Sequence, residues 1–333
     1  MKYFKIFIFI FLLGLISSCS KFFIKPDGDN TRVANFELLW KTLDEKYSYF
    51  TYKKIDWNAL HDKYLPLALK AKTQEDLFNV MASMLNELKD GHVNLVSYFN
   101  ISRNWQWYLA YPPNFNYNII ERNYLRNNYE IAGPASTAEI SGVGYIYYGS
   151  FEKGFSSSTL DYLLSKYKSS KGLIIDIRDN GGGSLGYAND LVSHFIKEKT
   201  LISYTKFKSG PGHDDFTDFY STTLNPTGQR YPNKVVVLTN RKVFSAANYF
   251  ASCMAQLPNV TLIGDQTGGG GGAPISAELQ VGWRVRFSTT QLFNAQKQHM
   301  EDGVYPKIKV DLNPIDEANG VDTILQTALD YLK

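Results

Sequence analysis

Cysteine is almost absent from this 333-residue chain, which has two. Cys19 closes the N-terminal apolar stretch and Cys253 lies far away, so no internal disulfide framework is available and stability has to come from packing. Cys253 sits in a helical pattern and reads as a buried, inert thiol. Charge of one sign is equally scarce: 35 Lys and Arg against 32 Asp and Glu leave a net charge of +3. With no arginine-rich stripe, that balance argues against nucleic acid as a partner. No Gly-x-Gly-x-x-Gly is present, and no Gly-Lys-Ser/Thr closes a glycine loop, which removes the dinucleotide and P-loop phosphate chemistries. Internal repeats and long low-complexity tracts are also missing. The N-terminal apolar run, Ile6 to Ile16, is too short to span a bilayer.

What remains is an ordinary globular composition, 44% hydrophobic and 20% charged, long enough for one large or two modest domains. Aromatic residues make up 15%, which suits a packed core and an apolar or peptide cleft equally well. Residues 1–19 have the form of an export signal: Lys2 and Lys5, the apolar run, then small residues before Cys19. Ile16-Ser17-Ser18-Cys19 resembles a bacterial lipobox. The expectation is cleavage before Cys19, lipidation of that cysteine, and attachment to the membrane by its acyl chains. The matching location is the bacterial cell envelope. Serine at position 20 favours the outer membrane, at its periplasmic face or the cell surface.

Residues 20–33 read as a tether, and residues 34–95 as a small helical domain. Phe36, Leu39, Trp40, Leu43 and Tyr47 recur at helical spacing, a second helix is expected near Trp57 to Lys70, and a third begins at Thr73 with Asp76 as its capping partner. Gly91 stops the unit. Residues 96–333 form the second part. Apolar strands at 142–148, 172–178, 235–239 and 260–264 alternate with helices, which predicts an α/β fold with a mixed, largely parallel sheet flanked by helices. Residues 276–293 alternate like an exposed hairpin, and Val321 to Leu332 is a closing helix.

Ser245 follows the strand beginning at Lys234 and opens the next helix. Backbone N–H groups there lack intrahelical partners and the helix dipole is positive, so Ser245 is either an N-cap or a nucleophile. Asp176-Ile-Arg-Asp-Asn-Gly-Gly-Gly183 puts three glycines at a strand's carboxyl end, as a tight turn or as a source of free N–H donors. A serine nucleophile needs a base. His92, at the boundary between Asp90-Gly91 and the strand-like Val93 to Val96, competes for that role with His61 and His194 in helical stretches and His213 and His299 in loops. Gly268 to Gly272 form either a flexible loop or one that hugs a ligand, and Glu301 and Asp302 precede a short strand.

Together these blocks resemble the tail-specific (C-terminal processing) and tricorn-core serine peptidase family across nearly the whole mature chain. The blocks are Asp90-Gly-His-Val, Gly142-Val-Gly-Tyr, Asp176-x-Arg-x-Asn-Gly-Gly-Gly, Phe244-Ser-Ala-Ala and Ile263-Gly-x-x-Thr-Gly-Gly, in family order. The resemblance implies a crotonase-like core with Ser245 as nucleophile. One of Gly181, Gly182 and Gly183, with the amide of Ala246, would donate to the oxyanion. The processing branch takes its base from a lysine 25 positions after the serine, which here is Gly270. The histidine-dependent, tricorn-like branch is therefore implied, with His92 as base and Glu301, or its neighbour Asp302, orienting it directly or through another group. The expected activity is endopeptidase hydrolysis of peptides or unfolded protein, with no metal or other cofactor. The rival is a lipoprotein that binds peptide or apolar ligands without catalysis. Three departures from the family pattern stand out: residues 96–141 are too short for a PDZ module, Asn248 replaces an acid often found three residues after the nucleophile, and Lys307 stands where an aspartate is common.

Overall fold

The first helices are placed by their caps and apolar stripes. In the computed structural model, which describes residues 29–103 and 109–333, the Thr31 side chain accepts from Ala34 N and starts α1 (Arg32–Lys46). This start lies inside the segment expected to be tether; Cys19 and residues 1–28 lie outside the described residues. After the short α2 (Phe50–Lys53), Asp56 caps α3 (Trp57–Lys70). Thr73 and Asp76 form a full capping box on α4 (Gln74–Asn86). Phe36, Leu39, Leu43, Trp57, Leu77, Met81 and Leu85 meet in one core. The chain then enters β1 (Asn94–Val96).

Beyond it, α5 (Tyr117–Ile119) runs into a π-helical turn at Ile120–Leu125. The strands β2 (Glu130–Ala132), β3 (Ala135–Ile140) and β4 (Val143–Tyr147) lead to α6 (Ser157–Lys166). Next come β5 (Leu173–Asp176), α7 (Leu185–Ser193), β6 (Thr200–Phe207), β7 (Tyr220–Leu224) and β8 (Val235–Thr239). They are followed by α8 (Ala246–Ala255), β9 (Val260–Gly264), β10 (Pro274–Glu278), β11 (Arg284–Ser288) and β12 (Thr290–Asn294). The chain ends with β13 (Ile308–Lys309), α9 (Pro314–Ala318) and α10 (Thr323–Tyr331).

Among the described residues three sheets form, and the largest has the order β13-β9-β8-β5-β4-β3-β2. It is parallel from β13 to β4 and closes with an antiparallel rim of β3 and β2. Every residue of β5, β8 and β9 is buried, as continuous apolar strands covered on both faces require. Leu160, Leu163, Leu191 and Phe250, from α6, α7 and α8, cover one face; Ile120, Leu125, Ile324 and Leu325 cover the other. No helix among the described residues is long and apolar enough to cross a membrane.

The segment expected to be an exposed hairpin is different. β10 and β11 do pair as a hairpin, but β11 lies between β10 and β1, and β12 leaves to join β6 and β7. Val285 and Phe287 are fully buried and share a core with α1, α3 and α4. The helical part and this distant hairpin thus complete one another's core, because three short helices cannot cover their own stripes.

Candidate active site

β8 is an all-buried Val-Val-Val-Leu-Thr strand, and α8 behind it is buried from Ala246 to Met254. The turn between them is held rigidly: Ser245 N donates to Gly269 O at 2.9 Å and Phe244 N to Asn180 O at 3.1 Å. Ser245 sits at φ 57° and ψ −122°, a region that non-glycine residues rarely occupy. In this conformation its side chain makes no capping bond to the helix. The hydroxyl meets His92 Nε2 at 3.0 Å instead.

His92 is positioned by the turn that ends the helical unit. Asp90 Oδ1 accepts from His92 N at 2.8 Å, and Asp90 Oδ2 accepts from the Tyr47 hydroxyl at 2.7 Å. The Phe244 ring lies against the imidazole with centroids 4.7 Å apart. On the other ring nitrogen, Nδ1 is 3.4 Å from Ser288 Oγ. With Nδ1–H donating to that oxygen, Nε2 carries the lone pair and accepts the Ser245 hydroxyl. Burial pushes the His92 pKa down to about 4; Asp90 opposes this, while Arg286 and Lys53 reinforce it. At neutral pH the imidazole is therefore uncharged.

The other histidines are engaged elsewhere. His61 pairs with Glu37, His194 Nδ1 bonds Gln229 O, His213 pairs with Asp44, and His299 stacks between Tyr52 and Phe293. Glu301 does not touch the imidazole. Its buried carboxylate takes Lys53 Nζ at 2.8 Å on one oxygen and the Gly271 amide at 2.8 Å on the other. Burial raises its pKa to about 7, against the opposing pull of Lys53 and the Gly271 amide. Asp302 accepts from the Tyr52 hydroxyl. Asp90 lies in the Asp-Gly-His block, but Ser288 and Lys53 have no distinctive motif around them; the alternation of Val285 and Phe287 with Arg284, Arg286 and Ser288 is the one local signal that β11 has a second face.

The Asp176–Gly183 block separates into scaffold and loop. Arg178 is wholly buried and bonded to Asp176 and Asp322, tying β5 to the start of α10. Asn180 Oδ1 accepts from the Gly182 amide at 2.9 Å, which occupies that donor. Among the described residues the amides of Gly181, Gly183 and Ala246 have no internal acceptor. Gly182, at φ +99°, packs directly on the serine turn: a β-carbon there would lie 2.7 Å from Phe244 O and 2.8 Å from Ser245 Cβ. Asn248 faces away from the cleft, accepting from the Thr267 hydroxyl and donating to Met300 O, so it fastens α8 to the Glu301 loop. His92, Ser245 and the three glycines line a cavity of about 710 Å³ with Asn94, Glu152, Asp179, Arg241, Lys242 and Arg286.

The model of peptidase family S41 matches residues 142–310, and that of the tricorn protease C1 domain matches residues 29–86. A crystal structure of a candidate peptidase from Parabacteroides merdae is 43% identical, covers 91% of this chain and 97% of its own, and superposes with a TM-score of 0.88. The chain belongs to peptidase family S41. The carboxy-terminal processing protease CtpA of Bacillus subtilis (strain 168) is 26% identical over 195 residues, 58% of this chain and 40% of that protein. The chain thus spans less than half the length of that curated relative. The tricorn protease shares the fold, with a TM-score of 0.60 at 17% identity over 90% of this chain and 36% of its own. Within the S41 frame, the position of the processing-branch lysine is sterically closed. Gly270 has φ +80°, and a β-carbon on it would lie 2.5 Å from Phe244 Cζ, the same ring that supports His92.

Proposed function

We propose that this chain is a serine-type endopeptidase that hydrolyses peptide bonds in peptides or unfolded proteins through an acyl-enzyme on Ser245. The observation that carries the proposal is the 3.0 Å contact between an uncapping, strained Ser245 hydroxyl and a buried, neutral His92 in an open cleft. Ser245 Oγ attacks the substrate carbonyl while His92 Nε2 takes its proton. The Ala246 amide, with that of Gly181 or Gly183, receives the oxyanion, and the Gly182 amide is left to hold the loop. Collapse of the tetrahedral adduct breaks the C–N bond, and the amine leaves with the proton from His92. Water, deprotonated by the same imidazole, then releases the acyl group. Ser288 is the group placed to hold Nδ1. Glu301 acts at one remove, by fixing Lys53 and the Gly271 amide.

A fluorophosphonate probe should label the protein at Ser245, and casein, an unfolded protein, should be cleaved. Ser245→Ala and His92→Ala should each abolish both. Labelling that survives His92→Ala would overturn the assigned base, and wild-type protein that neither labels nor cleaves would favour a ligand-binding role. Residues 1–19 support export, lipidation of Cys19 and a location in the bacterial cell envelope, with Ser20 favouring the outer membrane. Metabolic labelling with an alkynyl fatty acid should mark the wild-type chain and not Cys19→Ala.

A further inference from the structure

Among the described residues, one cation of the cleft has no salt-bridge partner. The charged lining of the cleft is Arg241, Lys242 and Arg286 against Glu152 and Asp179. Lys242 is paired with Asp179 at 2.9 Å. Arg241 lies 3.5 Å from Asp265, with its guanidinium 4.0 Å from the Tyr111 ring centroid. The Arg286 guanidinium has no hydrogen-bond or ion-pair partner among the described residues. Asp90 attracts it through space, but that carboxylate already accepts from Tyr47 and from His92 N.

Its placement is set by the two-faced β11. Val285 and Phe287 are buried against the helices, so Arg284, Arg286 and Ser288 point the other way. Ser288 reaches His92 Nδ1, and Arg286 stands one step along the same face, opposite Asn94 on β1 and Ser276 on β10. Arg286 is half-buried, and burial lowers its pKa from the usual arginine value. Leaving a guanidinium partly desolvated and unpaired is costly unless something else completes it.

The geometry points to Arg286 as a substrate-reading residue that binds a carboxylate of the peptide beside the scissile bond. This rests on the peptidase reading of the cleft and adds its substrate class: acidic peptides, recognised through either an Asp or Glu side chain or a free C-terminus. A guanidinium offers a planar fork matched to a carboxylate, and in a half-buried site the bond is stronger than at an open surface. Glu152 in the same cleft disfavours more highly charged anions such as phosphate monoesters.

Binding to the Ser245→Ala protein tests this without turnover. The probes are fluorescein-labelled heptapeptides of one sequence, Ala-Ala-Phe-Ala-Leu-Ala-Ala, read by anisotropy. One is a C-terminal amide, one has the free acid, and one set of amides carries Glu in place of each alanine in turn. At least one carboxylate-bearing form should bind about tenfold more tightly than the neutral amide, and adding Arg286→Gln should bring that ratio within about twofold. The arm that shows the preference identifies its source, side chain or terminus. Arg286→Lys, which keeps the charge and loses the fork, should be intermediate, and guards against misfolding of the glutamine variant. Equal affinity for every form, or a preference that survives Arg286→Gln, would overturn the assignment. A wild-type enzyme that turns over none of these peptides would count against the peptidase function alone, since the affinity ratio is measured separately.

Discussion

Ser245 has two possible fates at a helix N-terminus, and its backbone decides between them. A capping serine adopts extended angles and turns its oxygen toward the N2 or N3 amide. At φ 57° and ψ −122° the Ser245 oxygen is turned toward His92. Holding a non-glycine residue there costs on the order of 1–3 kcal/mol, which the surrounding bonds must offset. Gly182 is part of that restraint. A methyl group at position 182 would meet Phe244 O, Ser245 Cβ and Ala246 N between 2.7 and 2.9 Å. Gly182→Ala is therefore expected to displace the serine and cut the rate of fluorophosphonate labelling by roughly 100-fold or more, the scale of losing an oxyanion donor. Gly181→Ala, where a β-carbon meets nothing within 4 Å, should leave the melting temperature unchanged. A labelling rate that is normal in Gly182→Ala would show that the contact does not hold the serine. Ser288→Ala removes the hydroxyl on His92 Nδ1. A neutral hydrogen bond of about 0.5–1.5 kcal/mol predicts a fall of roughly two- to tenfold in kcat, with KM little changed. A change confined to KM would place Ser288 in substrate binding instead.

At the scale of elements, the site is assembled by a strand and a short helix that serve two partners each. β11 seals the helical core with one face and presents Ser288 and Arg286 with the other; α2 delivers Lys53 to the carboxylate of Glu301. Lys53 and Glu301 are both largely buried, so removing one leaves the other without its counter-ion. Lys53→Met is expected to cost about 3–5 kcal/mol, and the double variant Lys53→Met/Glu301→Gln less than the sum of the two single changes. Urea denaturation of the four proteins measures this, and strict additivity would mean that the pair is not a structural link. These connections explain which parts of the site were legible. The capping box at Thr73, the strand ending at Asp176 and the serine turn depend on neighbours in the chain, and sequence patterning locates them. His92 and Ser245 could be singled out because each sits at an element boundary. Lys53 with Glu301, and Ser288 with His92, meet across roughly two hundred residues or more, through the packing of the hairpin on the helices. Alternation over 276–293 points to an exposed hairpin, yet nothing local says that both faces of its 284–288 strand are occupied. Glu301 was legible as a residue of interest, but its contact with Lys53 in place of the imidazole follows from tertiary packing alone.

At the scale of the whole molecule, three buried or partly buried groups among the described residues have pKa values moved far enough to bear on stability between pH 4 and 7. His92 and His299 both have pKa values lowered to about 4, chiefly by burial, and Glu301 has its value raised to about 7 for the same reason. The signs are opposite. A histidine with a depressed folded pKa contributes stability that is present above about 6.5 and is lost as pH falls toward 4, because the unfolded chain binds the proton first. A carboxyl with a raised folded pKa contributes stability that is present below about 4.5 and is lost as pH rises through 7. Between pH 6.5 and 4.5 the two histidines therefore weaken the fold on acidification, while Glu301 opposes them. For the wholly buried His92 and Glu301, each full shift corresponds to about 3 kcal/mol. The wild-type melting temperature should fall from pH 6.5 to 4.5. His92→Gln should flatten that fall, since His299 and Glu301 then nearly cancel, and Glu301→Gln should steepen it by an amount on the order of several degrees. Melting curves at the two pH values on the three proteins measure both changes. The same depressed value places the acid limb of kcat/KM near pH 4 in the wild type, well below that of a solvated histidine, because His92 must remain neutral to accept the Ser245 proton. An acid limb at 6.5, together with equal melting shifts in all three proteins, would mean that water reaches His92 and Glu301 and that the cleft is not dry enough to tune its own base.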